Sequence, residues 1–170
     1  MKCVADTSAI SRLERIGYLD LLGKIYKRIY APPRVFEELR PHKPTTKFVE
    51  STLTPITFKT DKDKGRFNSL VRRWGKKVEL SDVADIEVFI AYKFFTDADE
   101  ALYANKGAQN KLSSYGKIRD IYELYELAEE EGIFSRKESI AFLESFLKLE
   151  KPYRPMMIKS LLENLLAGLI

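Results

Sequence analysis

The sequence predicts an α/β fold, a three-layer sandwich with a parallel sheet of about four to five strands, helices on both faces and further helices at the C-terminal end. Three observations carry that prediction. Short apolar runs alternate with longer helical patterns, the arrangement that builds parallel strands joined by crossover helices. Helix start signals recur along the chain, among them Pro32-Pro33, Leu80-Ser81-Asp82 and Ser135 with Glu138. The 170 residues are 45% apolar, enough for a proper hydrophobic core, and show no internal repeat or low-complexity segment.

In order along the chain, Lys2–Ala5 is a short apolar strand running into a turn at Asp6-Thr7-Ser8. A helix follows, with Ser8 or Ser11 as N-cap and Glu14 completing a capping box on Ser11; Gly17 stops it. Tyr18–Ile25 reads as a second short helix and Arg28–Ala31 as the second strand. Pro32-Pro33 opens a helix through Leu39, because a first turn does not need the N–H that proline lacks. After a polar stretch, Pro55–Phe58 reads as a strand and Asp63–Trp74 as a basic helix. Asp82–Phe94 is a helix apolar almost all round, hence buried on more than one side. Ala101–Ala104 is a short fourth strand, Asn110–Glu131 mostly helix closed by Gly132, and Ser135–Leu149 a helix with a capping box.

Pro152 and Pro155 then break the chain before a last amphipathic helix, Met156–Ile170. It carries Ile158, Leu161, Leu162, Leu165 and Leu169 on one face, which packs on its own domain or makes a homodimer or partner-helix contact. The expected division is one domain over residues 1–135 and a helical extension over 136–170.

Charge and composition narrow the function. The formal charge is +4, but its distribution says more. Eight basic residues lie between Lys59 and Lys77 against two acidic ones, whereas Glu123–Glu150 holds eight glutamates against three basic residues. The basic stretch is a solvated helix face or a contact for a phosphate backbone, through Arg66, Arg72, Arg73, Lys76 and Lys77. Trp74 within it anchors the helix to the core or stacks on a base. No apolar run reaches the roughly 20 residues of a membrane helix, and Asp6 falls where a signal peptide needs its apolar stretch. Cys3, the single cysteine, can form no intramolecular disulfide and no zinc site by itself, so a reduced, cytoplasmic setting is expected. Abundant Lys and Glu with one glutamine, Gln109, is a composition biased toward heat-loving organisms.

The chemistry points to carboxylates. In open parallel sheets ligands bind beyond the carboxyl ends of the strands, where Asp6 falls. Asp6 either caps the next helix or meets a cation. Glu38 lies on the flank of the Val35/Phe36/Leu39 stripe, and reads as a metal ligand or as a surface residue. Asp85 and Glu87 both interrupt an apolar helix, and the helical wheel does not choose between them. Hard oxygen ligands gathered from distant parts of the chain suit Mg²⁺ or Mn²⁺, which would activate water against a phosphodiester. There is no P-loop, no Gly-x-Gly-x-x-Gly, and the lone His42 lies beside Pro41 with no Ser-His-Asp arrangement.

Val4-Ala5-Asp6-Thr7-Ser8-Ala9-Ile10 resembles the opening motif of PIN domains, ribonucleases of the VapC-toxin and RNA-processing type, here of archaeal type. Tyr30–Leu39 is similar to the family's second-acid segment, and Leu80–Val88 to its third, with Asp85 at the acidic position. The helix Ile118–Ala128 with Glu131-Gly132-Ile133 resembles a closing helix of one subgroup, so the likeness covers residues 2–135. By this resemblance Asp6, Glu38 and Asp85 would hold Mg²⁺ or Mn²⁺, with Thr7 or Ser8 supporting Asp6. The fourth acidic position departs from the family. Thr96-Asp97-Ala98-Asp99 follows Asp85 too soon, so the favoured alignment places Ala104-Asn105 there, with Asn105 ligating through its carbonyl oxygen.

The function expected from the resemblance is a metal-dependent endoribonuclease, working as a toxin held by an antitoxin or as an RNA-processing factor with a partner protein. The alternative is a weak or inactive PIN fold that binds RNA or a protein. A phosphate-ester hydrolase of haloacid-dehalogenase type, with Asp6 as nucleophile, is disfavoured because Ser8 stands where a second aspartate belongs.

Overall fold

Five short strands form one sheet, in a computed structural model that describes residues 1–149 and 151–168. They are β1 (Lys2–Ala5), β2 (Arg28–Ala31), β3 (Leu53–Pro55), β4 (Glu100–Tyr103) and β5 (Ile118–Asp120). Their order is β3-β2-β1-β4-β5 and every pair is parallel. Cys3 stands opposite Ile29 on one side and Glu100 on the other. The chain steps outward from β1 through β2 to β3, then returns to the other side of β1 for β4 and β5. With right-handed crossovers that reversal puts helices on both faces, the expected α/β sandwich.

The helices joining β1 to β3 are α1 (Thr7–Arg15), α2 (Asp20–Ile25), α3 (Pro33–Leu39) and α4 (Thr46–Ser51). Those joining β3 to β5 are α5 (Asp61–Lys77), α6 (Val83–Ile90) and α7 (Lys106–Leu112). Helix α6 continues into a π-helical turn over Ala91–Phe95. After β5 come α8 (Leu124–Glu130), α9 (Arg136–Leu147) and α10 (Pro155–Ala167). The strands are buried as expected of a sheet covered on both sides, with Cys3, Val4, Ala5, Ala101, Leu102 and Tyr103 fully inaccessible.

The expected strands at Lys2–Ala5 and Arg28–Ala31 lie in place. Three expectations need correction. The third strand is Leu53–Pro55, not Pro55–Phe58: its Leu53 pairs with Ile29, and a last backbone bond from Ile56 N–H to the Ala31 carbonyl ends its pairing with β2. Residues 110–131 are not one helix. They hold the end of α7, strand β5 paired with β4, a 3-10 turn over Ile121–Glu123 and then α8. The polar stretch after Pro41 contains α4, whose Phe48 and Val49 are buried.

The capping box of α9 forms as read, Ser135 accepting from Glu138 N–H and Glu138 from Ser135 N–H. In α10, Ile158, Leu162 and Leu165 face inward and α10 packs on α9, so this face serves its own chain. Leu169, which the sequence places on the same face, and Ile170 lie outside the described residues. No described helix is long and apolar enough to cross a membrane.

Candidate functional site

The strand order reverses between β1 and β4, and in open α/β sheets ligands gather beyond the carboxyl ends of the strands at such a switch point. Asp6 is the first residue past β1. It is both N-cap and candidate ligand: its Oδ1 accepts from Ser8 N–H at 3.3 Å to start α1, while its Oδ2 is buried with no partner. Thus Asp6 itself, not Ser8 or Ser11, caps the helix. Burial, opposed by the Ser8 amide and reinforced by the charges of Asp82 and Glu38, raises its carboxyl to about 7.

Asp85 comes from the first turn of α6 and is 4% exposed, its Oδ2 likewise without a partner. Burial raises its carboxyl to about 8, and Asp6, Asp82 and Glu38 add to the shift in that order. The backbone holds it in place, since Tyr103 at the end of β4 donates its hydroxyl to the Asp85 carbonyl at 2.5 Å. Glu38 stands on the exposed flank of α3, its carboxyl raised by partial burial and by Asp82, and lowered by the nearby Thr7 hydroxyl and Arg34. Thr7 Oγ1 is buried without a well-formed hydrogen bond. So Thr7 attends Glu38, and Ser8 serves Asp6 through its backbone.

The structure separates the two acids that the helical wheel left level. Glu87 accepts from Arg34, from its backbone N–H at 3.4 Å and its Nε at 3.2 Å. Asp85 has no cation and faces other carboxylates. Asp82 is the residue the sequence reading passed over, taking it for a start signal only. It does cap α6, accepting from Asp85 N–H at 3.3 Å, and its charge is felt by Asp6, Glu38 and Asp85 alike. Its signal was in the sequence: a capping carboxylate three residues before a buried one stands on the same helix end.

Other candidates fall elsewhere. Asn105 follows β4 and caps α7, its Oδ1 taking Gly107 N–H at 2.9 Å. Beside it, Arg12 donates to the Ala104 carbonyl at 2.8 Å and to Tyr122 Oη at 3.2 Å. Asp97 and Asp99 lie at the opposite end of the sheet. Asp97 binds the Lys2 ammonium and the Tyr30 hydroxyl, and Asp99 takes Lys2 N–H at 2.8 Å.

The basic helix divides into two flanks. Residues four or seven apart share a face, so Lys64, Asn68 and Arg72 form one, and Arg66, Arg73 and Lys77 the other. On the second flank Arg66 lies over Phe95 and Lys77 over Trp74, at 5.2 and 4.3 Å from the ring centres. Trp74 itself packs on Phe89 and Tyr115 at 5.1 and 5.2 Å, which makes it an anchor of α5 to the core.

Among the described residues no three His, Cys, Asp or Glu side chains stand close enough to hold an ion unaided. The donor set still suits a hard divalent cation. Two fixed, buried carboxylates present unpartnered oxygens, and two more acids, Glu38 and Asp82, stand exposed at the rim. Mg²⁺ is commonly held by one or two carboxylates with water filling its other positions, so such a pair is enough.

No curated protein and no solved structure matches the chain. The PIN-domain family does: its sequence model matches residues 2–93, which span β1 through α6 and carry Asp6, Glu38, Asp82 and Asp85. The match covers more than half of the chain, which therefore belongs to the PIN-domain family.

Proposed function

We propose that this protein is a divalent-metal-dependent endoribonuclease. The single observation that carries the reading is the pair of buried, unpartnered carboxylates, Asp6 and Asp85, brought together from elements far apart in sequence. The charge of Asp6 disfavours the ionisation of Asp85, and a cation bound by both would relieve it. A bound Mg²⁺ or Mn²⁺ would supply Lewis acidity and a water of lowered pKa for attack on phosphorus.

In this reading Asp6 and Asp85 would hold the cation, with Glu38 and Asp82 as the acids exposed beside them. The Ser8 amide and the Tyr103 hydroxyl fix the two buried residues, so little rearrangement is needed when metal enters. Arg72 and Lys76 on α5 would contact the RNA backbone, the remaining basic residues Arg66, Arg73 and Lys77 lying farther round the helix. Residues 1–135 would be the nuclease unit, on which α9 packs through Phe142 against Tyr18 and Phe146 against Tyr122, with Arg154 paired to Asp120 at 2.6 Å.

The test is cleavage of a mixed-sequence single-stranded RNA with Mn²⁺, Mg²⁺ or EDTA, comparing the native chain with Asp6→Ala. Metal-dependent cutting lost in the variant supports the reading. Equal cutting by both proteins, or none by either at high enzyme and long times, overturns it. One observation favours a second reading, a weak or inactive module that binds RNA or a partner protein. At the end of β4 the family's acidic position holds Ala104-Asn105, with Asn105 committed to Gly107 N–H and Arg12 bound to the Ala104 carbonyl. RNA affinity that persists unchanged in EDTA, with no cutting, would select it.

A further inference from the structure

A cavity of about 310 Å³ lies between α3, the β3–α5 connection and α5, one step away from the acid cluster. Its apolar wall is Ile56, Phe58 and Phe67, and its polar rim is Lys64, Asn68 and Glu37. The floor is Glu87, bound to Arg34 and two residues past Asp85 on α6, while Glu37 on the rim immediately precedes Glu38 on α3. Residues of α3 and α6, the helices that carry Glu38 and Asp85, thus also line the cavity.

Size and lining both select a ligand. The volume sits at the small end of ligand pockets, too little for a folded peptide and enough for one heterocycle with its sugar. Phe58 is half-buried, packed on Phe67 and Phe95 at 5.1 and 5.8 Å, so its ring is held rigid while it lines the cavity. A fixed aromatic wall facing an exposed side-chain amide is what reads an unstacked base: the ring takes the π-face and the amide an edge. Lys64 and Arg72 flank Asn68 four residues to either side, so cations border the amide in both directions along one face of α5.

We infer that this cavity seats one nucleobase of the RNA strand beside the phosphate held at the acids. Phe58 stacks on the base, Asn68 hydrogen-bonds its edge, and Lys64 and Arg72 follow the neighbouring phosphates. The inference rests on the nuclease reading for the identity of the ligand, and it makes Asn68 a specificity-determining residue.

The four nucleoside 5′-monophosphates and ribose 5-phosphate are titrated into the metal-free native chain, Asn68→Ala and Phe58→Leu, with backbone-amide NMR as the readout. Asn68 is exposed, and leucine keeps the apolar volume at 58, so both variants retain the fold. The expected result is shifts around Phe58, Lys64 and Asn68 for at least one nucleotide and none there for ribose 5-phosphate. Affinity should fall about fivefold to tenfold in Asn68→Ala. Sequenced ends of a randomised RNA should show a base preference at one position beside the cut, flattened in the same variant.

Ribose 5-phosphate binding as tightly as the nucleotides overturns the inference, as do unchanged affinity and base preference in both variants. The two readings fail separately. Nucleotide binding as expected in a chain that cuts no RNA keeps the pocket and removes the nuclease. RNA cutting with no response at the pocket does the reverse.

Discussion

The two ends of the sheet both bury carboxylates, and they treat them in opposite ways. At the amino end Glu100, fully inaccessible, accepts from Tyr26 Oη at 2.9 Å and from Arg119, with the Lys117 ammonium 3.6 Å away. Nearby, exposed Asp97 is held down to about 2 by its hydrogen bonds from Lys2 and Tyr30. At the carboxyl end Asp6 and Asp85 are also buried, yet among the described residues neither side chain is paired with a cation, and each has a buried oxygen without a partner. A buried charge with its cation built in is structure, and its desolvation is settled within the chain. A buried acid without one leaves that debt to something outside. On the proposed metal-dependent reading, this difference is what makes the carboxyl end the ligand site.

The comparison is broken most directly by exchanging the roles of the two ends. Asp6→Ala and Asp85→Ala should each lower metal-dependent RNA cleavage by roughly 100-fold or more, because a ligand to the attacking water's metal is lost. Glu100→Gln should leave cleavage intact but lower stability by on the order of 3 kcal/mol, since Arg119 loses its buried partner. Thermal unfolding and single-turnover cleavage, run on all three variants, separate the ends. Cleavage lost in Glu100→Gln while its fold is retained would erase the distinction.

A second test concerns the rim. Asp82→Asn keeps the cap on Asp85 N–H while removing the charge, and it should weaken Mn²⁺ affinity by roughly tenfold, the scale of an auxiliary group around a metal. Titration calorimetry with Mn²⁺ reads it without reference to activity.

The pH dependence sharpens the contrast further. Asp6 and Asp85 are raised to about 7 and about 8, so the metal-free folded chain holds these protons more tightly than the unfolded chain. Their contribution to stability is fully present below about pH 4, the ordinary carboxyl range, and is lost as pH rises through about 8. Between pH 5 and pH 8 the Tm of metal-free protein should therefore fall, less steeply in Asp6→Asn. Mn²⁺ should raise the Tm more at pH 8 than at pH 5, because at pH 5 it must displace protons. A Tm flat across this window would remove the strain assigned to the carboxyl end.

The smallest effect is on RNA affinity. Arg72→Ala should reduce the slope of log affinity against log salt by about 1, as one phosphate contact is lost. Arg66→Ala should change it less, since that guanidinium lies over Phe95. Equal effects would mean that the two flanks of α5 meet RNA alike.

Much of this molecule is local, and what is local was legible. Apolar runs announced β1 and β2, prolines opened α3, and Ser135 with Glu138 announced α9, because strands, first turns and caps are decided by neighbouring residues. The acids Asp6 and Glu38 stood out beside apolar runs, whereas Asp85 and Glu87 stood level on their helix and only the resemblance to PIN domains singled out Asp85. Strand β5 was hidden, being three residues with Arg119 at its centre and acquiring its strand character from pairing with β4.

The sequence by itself determined the α/β layering, the family and which acids were in contention. Only the tertiary structure decided which acids meet. It paired Glu87 with Arg34, left Asp85 facing Asp6, drew Asp82 into the cluster and sent Asp97 and Asp99 to the far end of the sheet. The physical reason is that an all-apolar helix has no polar side to reveal which acid looks where. That depends on elements tens of residues away, which the crossovers bring to one edge of the sheet.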